Sequence, residues 1–234
     1  MPYGCELARL TVVRHGESAA NELFARAVET GDADLRVAEP TDAQVPLSAT
    51  GVRQAEALGR WLAGLGARER PQSVICSPYA RAVRTWEVMA SVAGAAGASY
   101  GPALVDERLR DREMGVLELM TPPAVRAYAP AEADRRERVG EWFYRPPGGE
   151  SLADVALRVR DFLTELGPAA AGRRVLLVAH DAVVPAVGRV LAGIGGARAA
   201  TMPAQVPNAS LSWWVRDGVG MRPVVIGGTP HLDG

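Results

Sequence analysis

Three short apolar runs in this chain end in side chains that can do polar chemistry. Arg14 and His15 follow Leu7–Val13. Ser77 follows Gln72–Cys76, with Arg81 one helical turn beyond. His180 and Asp181 follow Arg174–Ala179. If the runs are strands of one parallel sheet, these side chains meet at its carboxyl edge, where ligands bind in open α/β sheets. Two guanidinium groups beside two imidazoles suit a doubly charged anion, because arginine offers fixed, paired donors that match phosphate oxygens. A neutral imidazole is also a nucleophile. Ser77-Pro78 reads as an N-cap and first-turn proline that aims a helix dipole at the same place. Gly16 permits a tight turn that would bring the amides after His15 to the anion as well.

Holding those residues takes a sheet and helices. The three runs are continuous rather than alternating, as strands buried on both faces are. Between them apolar residues recur at three- and four-residue steps: Val52, Ala55, Leu58, Leu62 and Leu65; Ala82, Trp86, Met89 and Ala93; Leu152, Val155, Val159, Phe162 and Leu166. Each stripe packs a helix on a sheet. Ser151, with Asp154 three residues on, caps the third. Val183–Leu191 predicts a further helix and Leu211–Val215 a late strand. The expected fold is α/β, a three-layer sandwich with a mainly parallel sheet and helices on both faces. Residues 1–234 are expected to form a single domain. Two segments depart from the pattern. Glu22–Pro46 carries six acids against two arginines and reads as a surface excursion. Thr121–Gly149 is rich in proline, arginine and glutamate and reads as a helical cap over the site. The end of the chain, Gly227–Gly234, reads as a frayed tail with His231 on the surface.

Composition removes several classes of function. The formal net charge is −1, so no basic surplus drives binding to a nucleic-acid backbone. All 26 basic residues are arginine, which excludes Schiff-base chemistry and a P-loop lysine. Cys5 and Cys76 form neither a disulfide framework nor a metal pair, and three scattered histidines predict no metal site. No basic leader precedes an apolar stretch, and no run reaches the roughly 20 residues of a membrane span. The expectation is a cytoplasmic protein that takes a small phosphorylated metabolite, with no cofactor, nucleic acid or membrane as partner.

The same residues carry a family likeness. Arg14-His15-Gly16-Glu17-Ser18-Ala-Ala-Asn21 resembles the RHGESxxN signature of the histidine phosphatase superfamily, the phosphoglycerate mutase-like proteins. In the family's order follow Pro46-Leu-Ser-Ala-Thr-Gly51-Val-Arg-Gln54-Ala55, which resembles PLTxxGxxQA, and Ser77-Pro78-Tyr-Ala-Arg81-Ala82-Val-Arg-Thr85, which resembles SPxxRAxxT. Leu109-Arg-Asp111-Arg-Glu-Met-Gly115 resembles LxExxxG, Pro147-Gly-Gly149-Glu150-Ser151 resembles PxGES, and His180 follows a strand as the second family histidine does. Tyr144-Arg145-Pro-Pro-Gly-Gly-Glu150-Ser151 and His180-Asp-Ala182-Val183 are similar to the fructose-2,6-bisphosphatase branch.

The resemblance implies a phosphatase working through a phosphohistidine. His15 would attack phosphorus. Arg14, Arg81 and His180 would bind the phosphoryl oxygens, where transition-state charge gathers. Asn21 would add a neutral donor, and Asp181 and Arg145 would contact substrate. A general acid would protonate the leaving oxygen. The family's glutamate is Asp111 here, one methylene shorter. Asp181 is the second candidate for that role, because another branch of the superfamily uses a His-Asp pair there, and Glu113 and Glu107 follow. Arg145 either contacts substrate or pairs with Glu141. Arg135, Arg136 and Arg138 alternate with acids and read as a solvated helix face. Trp142, Phe143 and Tyr144 read as cap packing, and the sequon Asn208-Ala-Ser210 as chance. Two other readings stay open, a phosphoglycerate-type mutase and a catalytically idle module that binds a phosphorylated ligand.

Overall fold

The computed structural model describes residues 6–193, 202–203, 205–218 and 220–233; Cys5 lies outside them. In chain order the elements are β1 (Arg9–Arg14), α1 (Ala19–Thr30), α2 (Ala49–Gly64), β2 (Ser73–Cys76), α3 (Ala80–Ala95), β3 (Leu104–Val105), α4 (Pro122–Tyr128), α5 (Pro130–Val139), α6 (Leu152–Ala169), β4 (Arg174–Ala179), α7 (Val183–Ala192), β5 (Leu211–Arg216) and β6 (Met221–Gly228). The strands form one sheet in the order β3-β2-β4-β1-β5-β6. The four strands from β3 to β1 run parallel, and β5 and β6 join antiparallel.

The apolar alternation of the central strands separates two cores. Leu10, Val12, Val175 and Leu177 face one side, packed with Val155, Val159 and Phe162 of α6 and Val183 and Val187 of α7. Val13, Leu176 and Val178 face the other, against Leu58 and Leu62 of α2 and Ala82, Trp86 and Met89 of α3. The result is the expected three-layer α/β sandwich. Burying each of these aliphatic side chains favours the fold by roughly 1.5–3 kcal/mol.

The runs marking β1, β2 and β4 fall within one or two residues of their predicted places, and β4 spans Arg174–Ala179 as expected. The capping box on α6 is present: Asp154 N–H donates to Ser151 Oγ at 3.1 Å and Ser151 N–H to Asp154 Oδ2 at 2.8 Å. Three expectations need correction. The acidic excursion begins inside α1, whose own capping box is Ser18 with Asn21. Strands β3 and β6 went unseen because Leu104 and Val105 are exposed edge residues and Met221–Gly228 contains proline and glycine. The C-terminus is not frayed as far as Asp233: β6 runs to Gly228, a 3₁₀ turn spans Pro230–Leu232, and His231 Nε2 lies 3.0 Å from Ala209 O. Helices α4 and α5 occupy much of Thr121–Gly149.

Candidate active site

His15 stands directly after β1 and is 2% exposed. Its Nδ1 lies 2.6 Å from the Gly16 carbonyl. A carbonyl only accepts, so Nδ1 carries the proton and Nε2 keeps a lone pair directed into the site. Arg81 Nε donates to that Nε2 at 3.2 Å. Burial, then Arg81, His180 and Arg14, push the imidazolium form well below its ordinary pKa. The ring is neutral, as a nucleophile must be. Its main chain is held from the far end of the sequence: Ala209 N–H and Asn208 Nδ2 both donate to His15 O, at 3.0 and 3.3 Å.

His180, after β4, is fully buried, with its ring centroid 5.1 Å from that of His15. Ser77 Oγ lies 2.7 Å from its Nε2, and Asp111 Oδ2 lies 3.3 Å from its Nδ1. A carboxylate accepts, so Nδ1–H faces Asp111 and the serine hydroxyl donates to Nε2. Burial lowers the pKa of His180 despite the carboxylate beside it.

Arg81 is the hub. Its Nη2 is 2.8 Å from Asp111 Oδ2 and 2.9 Å from Asp42 Oδ2, and its Nη1 donates to Asp42 O at 2.6 Å. Burial pushes the Asp111 carboxyl up, but the His180 N–H and the charge on Arg81 outweigh it and hold the group well below the usual carboxylate range. Asp42 and Asp181 are raised, burial prevailing over Arg81 in the first and over Arg14 in the second. Arg14 donates to Val206 O and lies 3.7 Å from Asp181 Oδ2.

Glycines let the loops behind these side chains touch. A Cβ on Gly51 would meet Glu17 O at 1.9 Å, so the loop after His15 rests directly on the start of α2. Glu17 N–H donates to Gln54 Oε1 at 2.8 Å, and Gly16 N–H to Thr85 Oγ1 at 3.1 Å. Gly115, at φ +53°, lies where a Cβ would meet Pro147 O at 2.2 Å. Arg158 fastens the Asp111 loop by donating to the carbonyls of Arg108, Arg110 and Asp111 at 2.7–2.9 Å, while Glu150 pairs with it at 2.9 Å. The short Asp111 side chain thus reaches Arg81 and His180 from a loop tied down behind it.

A cavity of about 750 Å³ opens from this cluster, and Arg14, His15, Asn21, Arg81, Asp111 and Asp181 line it. Several expectations change. The amides of Gly16 and Glu17 are bonded within the protein and do not face the cavity. Ser77 does not cap α3, which starts at Ala80 with Tyr79 as its N-cap; it holds His180 instead. Arg145 pairs with Asp154 rather than Glu141 and is not among the residues that line the cavity. Glu141 pairs with Arg112 and Arg136, and the latter lines the cavity rather than a solvated face. Glu113 lines the cavity and accepts from Tyr79 OH at 3.3 Å, whereas Glu107 is exposed and outside it. Tyr144 is buried but Phe143 is exposed. Two of the three scattered histidines do converge: His15, Asp111 and His180 offer ligand atoms within 4.8 Å of one another. The Arg81 guanidinium sits among them, which sets its charge against a cation there.

Sequence reasoning missed Asp42, Asn208 and Arg158. Asp42 lay in a segment without periodicity. Asn208 was hidden in a sequon, yet it also donates to Asn21 Oδ1 at 3.0 Å. Arg158 was one arginine among many on a helix.

A neutral, fixed imidazole ringed by two guanidinium groups and a second imidazole at a parallel-sheet edge is a site able to receive a phosphoryl group. The chain belongs to the histidine phosphatase superfamily (branch 1), whose family model matches residues 10–227. It is 31% identical over 175 residues to a protein named probable phosphoglycerate mutase GpmB from Salmonella paratyphi C, covering 74% of this chain and 70% of that one. Among solved structures, a mycobacterial glucosyl-3-phosphoglycerate phosphatase in complex with VO3 aligns at TM-score 0.73 and 26% identity, over 95% of this chain and all of that one. The alpha-ribazole phosphatase of Shigella flexneri aligns at TM-score 0.72 and 20% identity, over 94% and 96% of the two chains, a likeness of fold. No helix among the described residues is long and apolar enough to cross a membrane.

Proposed function

We propose that this chain is a metal-independent phosphatase that hydrolyses a small phosphomonoester through a phosphohistidine intermediate. The observation that carries it is the His15 ring: Nδ1 is fixed on Gly16 O, and Nε2 points with its lone pair among Arg81, Arg14 and His180. The substrate phosphoryl takes over Arg81 from Asp111, Asp42 and His15 Nε2, which frees the Nε2 lone pair. Nε2 attacks, the N–P bond forms, and the P–O bond to the alcohol breaks. Arg81, Arg14 and His180 hold the equatorial oxygens as charge builds on them. Asp111 is ionised while Arg81 grips it. A phosphoryl group removes that grip and adds negative charge alongside, and both raise its pKa. The proton therefore arrives with the substrate and passes from Asp111 to the leaving oxygen. Asp111 then takes a proton from the water that breaks the N–P bond and releases phosphate. Asp181, raised by burial and steadied by Arg14, is the reserve donor.

The name of the mutase-like relative supports a second reading, in which the phosphoryl group returns to the substrate. We place the protein in the cytoplasm, acting on a metabolite. The test is turnover of p-nitrophenyl phosphate and rapid-quench trapping of an acid-labile phosphoenzyme. His15→Ala should remove both, with a loss of about 10⁴-fold or more. Turnover that survives in His15→Ala overturns the reading. Isomerised phosphoglycerate with little free phosphate would favour the mutase, and no turnover of any phosphoester would favour an idle binding module.

A further inference from the structure

Beyond its phosphoryl end, the cavity is the size of a pocket for a whole small molecule. Part of its outer wall is apolar, formed by Phe24, Met114, Leu117, Met120, Val125 and Leu152. Its charges are unfavourable to a second anion. Away from the phosphoryl end, where Arg14 and Arg81 stand with Asp42, Asp111 and Asp181, four carboxylates (Glu113, Glu118, Glu137 and Glu141) line it against three guanidinium groups. All three are engaged. Arg112 donates to Glu141 Oε1 and Tyr144 O, both at 2.6 Å, and to Glu150 O at 2.8 Å. Arg136 donates to both oxygens of Glu141, at 2.6 and 2.8 Å. Arg126 pairs with Asp134 and Glu137. The Arg126 pairs are exposed and so are weak restraints. Arg112 is buried, and drawing it away would strand Glu141 and two backbone carbonyls.

We infer that the substrate is a phosphomonoester of an uncharged, largely apolar alcohol with no second anionic group. The inference rests on the phosphatase reading above and narrows it. A carboxylate or second phosphate carried into the cavity loses its hydration among carboxylates, and no disengaged guanidinium among the described lining residues replaces it. Carbon chain placed there removes apolar surface from water on both sides. Phosphoglycerates and sugar bisphosphates carry the excluded group.

The experiment measures released phosphate from a series of n-alkyl phosphates, ethyl to hexyl, beside 3-phosphoglycerate and a fructose bisphosphate. We expect kcat/KM to rise about fourfold per methylene along the series, as burial of a CH₂ implies. Hexyl phosphate should exceed 3-phosphoglycerate by about a hundredfold on the same scale. A flat series, or 3-phosphoglycerate or the bisphosphate preferred, overturns the inference while leaving the phosphatase reading intact. Loss of all turnover, p-nitrophenyl phosphate included, strikes the phosphatase reading first and takes this one with it. Two variants test the walls. Phe24→Ala should flatten the chain-length dependence. Glu141→Gln frees Arg136 and should narrow the hexyl-to-phosphoglycerate ratio by about tenfold, the scale of one ionic contact. Unchanged slope and ratio in both count against the assignment.

Discussion

The two ends of the cavity are built by opposite means. At the phosphoryl end, His15, Arg81 and His180 are buried, and each hangs from a strand edge or the first turn of a helix behind it. Their partners come from distant segments: Ser77 for His180, Asn208 for the main chain of His15, Asp42 for Arg81. The cap end is held by charge pairs between α4, α5 and the loop after them, several of them exposed, such as Arg126 with Glu137. The first arrangement fixes geometry, because moving one group strands others in a dry site. The second sets shape and sign of charge at little cost to either. On the proposed function, chemistry falls to the first end and selection to the second.

That contrast can be broken by mutation. The largest effect after loss of His15 itself is expected at Arg81→Ala, with kcat/KM on p-nitrophenyl phosphate falling about 10²–10³-fold, as when one transition-state donor is removed. A loss under about tenfold would dissolve the distinction between the two ends. Asp111→Asn should slow alkyl phosphates more than aryl ones, since an aryl oxide leaves with less help from a proton. Equal losses on the two would move the donor role to Asp181.

Stability should divide in the same way. Gly51→Ala drives a methyl into Glu17 O and should cost about 3 kcal/mol, read by urea unfolding, because backbone must move on both sides. A further test uses acid. His15 and His180 have folded pKa values below the ordinary 6.5. The unfolded chain therefore gains protons that the folded one refuses, so stability present above pH 6.5 is lost as pH falls below it. Asp42 and Asp181, raised above 3.8, work in the opposite sense at lower pH. The melting temperature should drop between pH 7 and 5 in the wild type and drop less in His15→Asn; equal drops would mean that the ring titrates freely. The smallest effect is expected at the cap, where Arg126→Ala should leave the melting temperature unchanged within error.

The phosphoryl end was readable in the sequence because its residues sit at fixed offsets from patterned elements. A continuous apolar run followed by Arg14-His15-Gly16 carries its own address, and so do Arg81 and His180. Gly51 and Gly115 stood in the sequence only as motif positions, and the structure was needed to show that Gly51 meets Glu17 and Gly115 meets Pro147. What escaped lacks a local pattern. Asp42 reaches Arg81 from an acidic loop whose composition is that of any solvated loop. Ser77 looked like a cap because serine before proline commonly is one, and only the position of His180 gave it another task. Arg145 sat in a suggestive motif, yet Asp154, nine residues on, claims it. Pairing among many arginines and acids is decided by three-dimensional proximity, to which composition is blind.

The carbonyl of His15 is gripped by residues 193 and 194 positions later, and the Arg14 side chain by one 192 positions later. Contacts of such sequence separation form late and slowly. The strand that carries His15 is therefore locked at its end only once the segment around Asn208 is in place. Removing the segment from Val206 to Ser210 should silence a protein whose proposed reactive side chains are all still present.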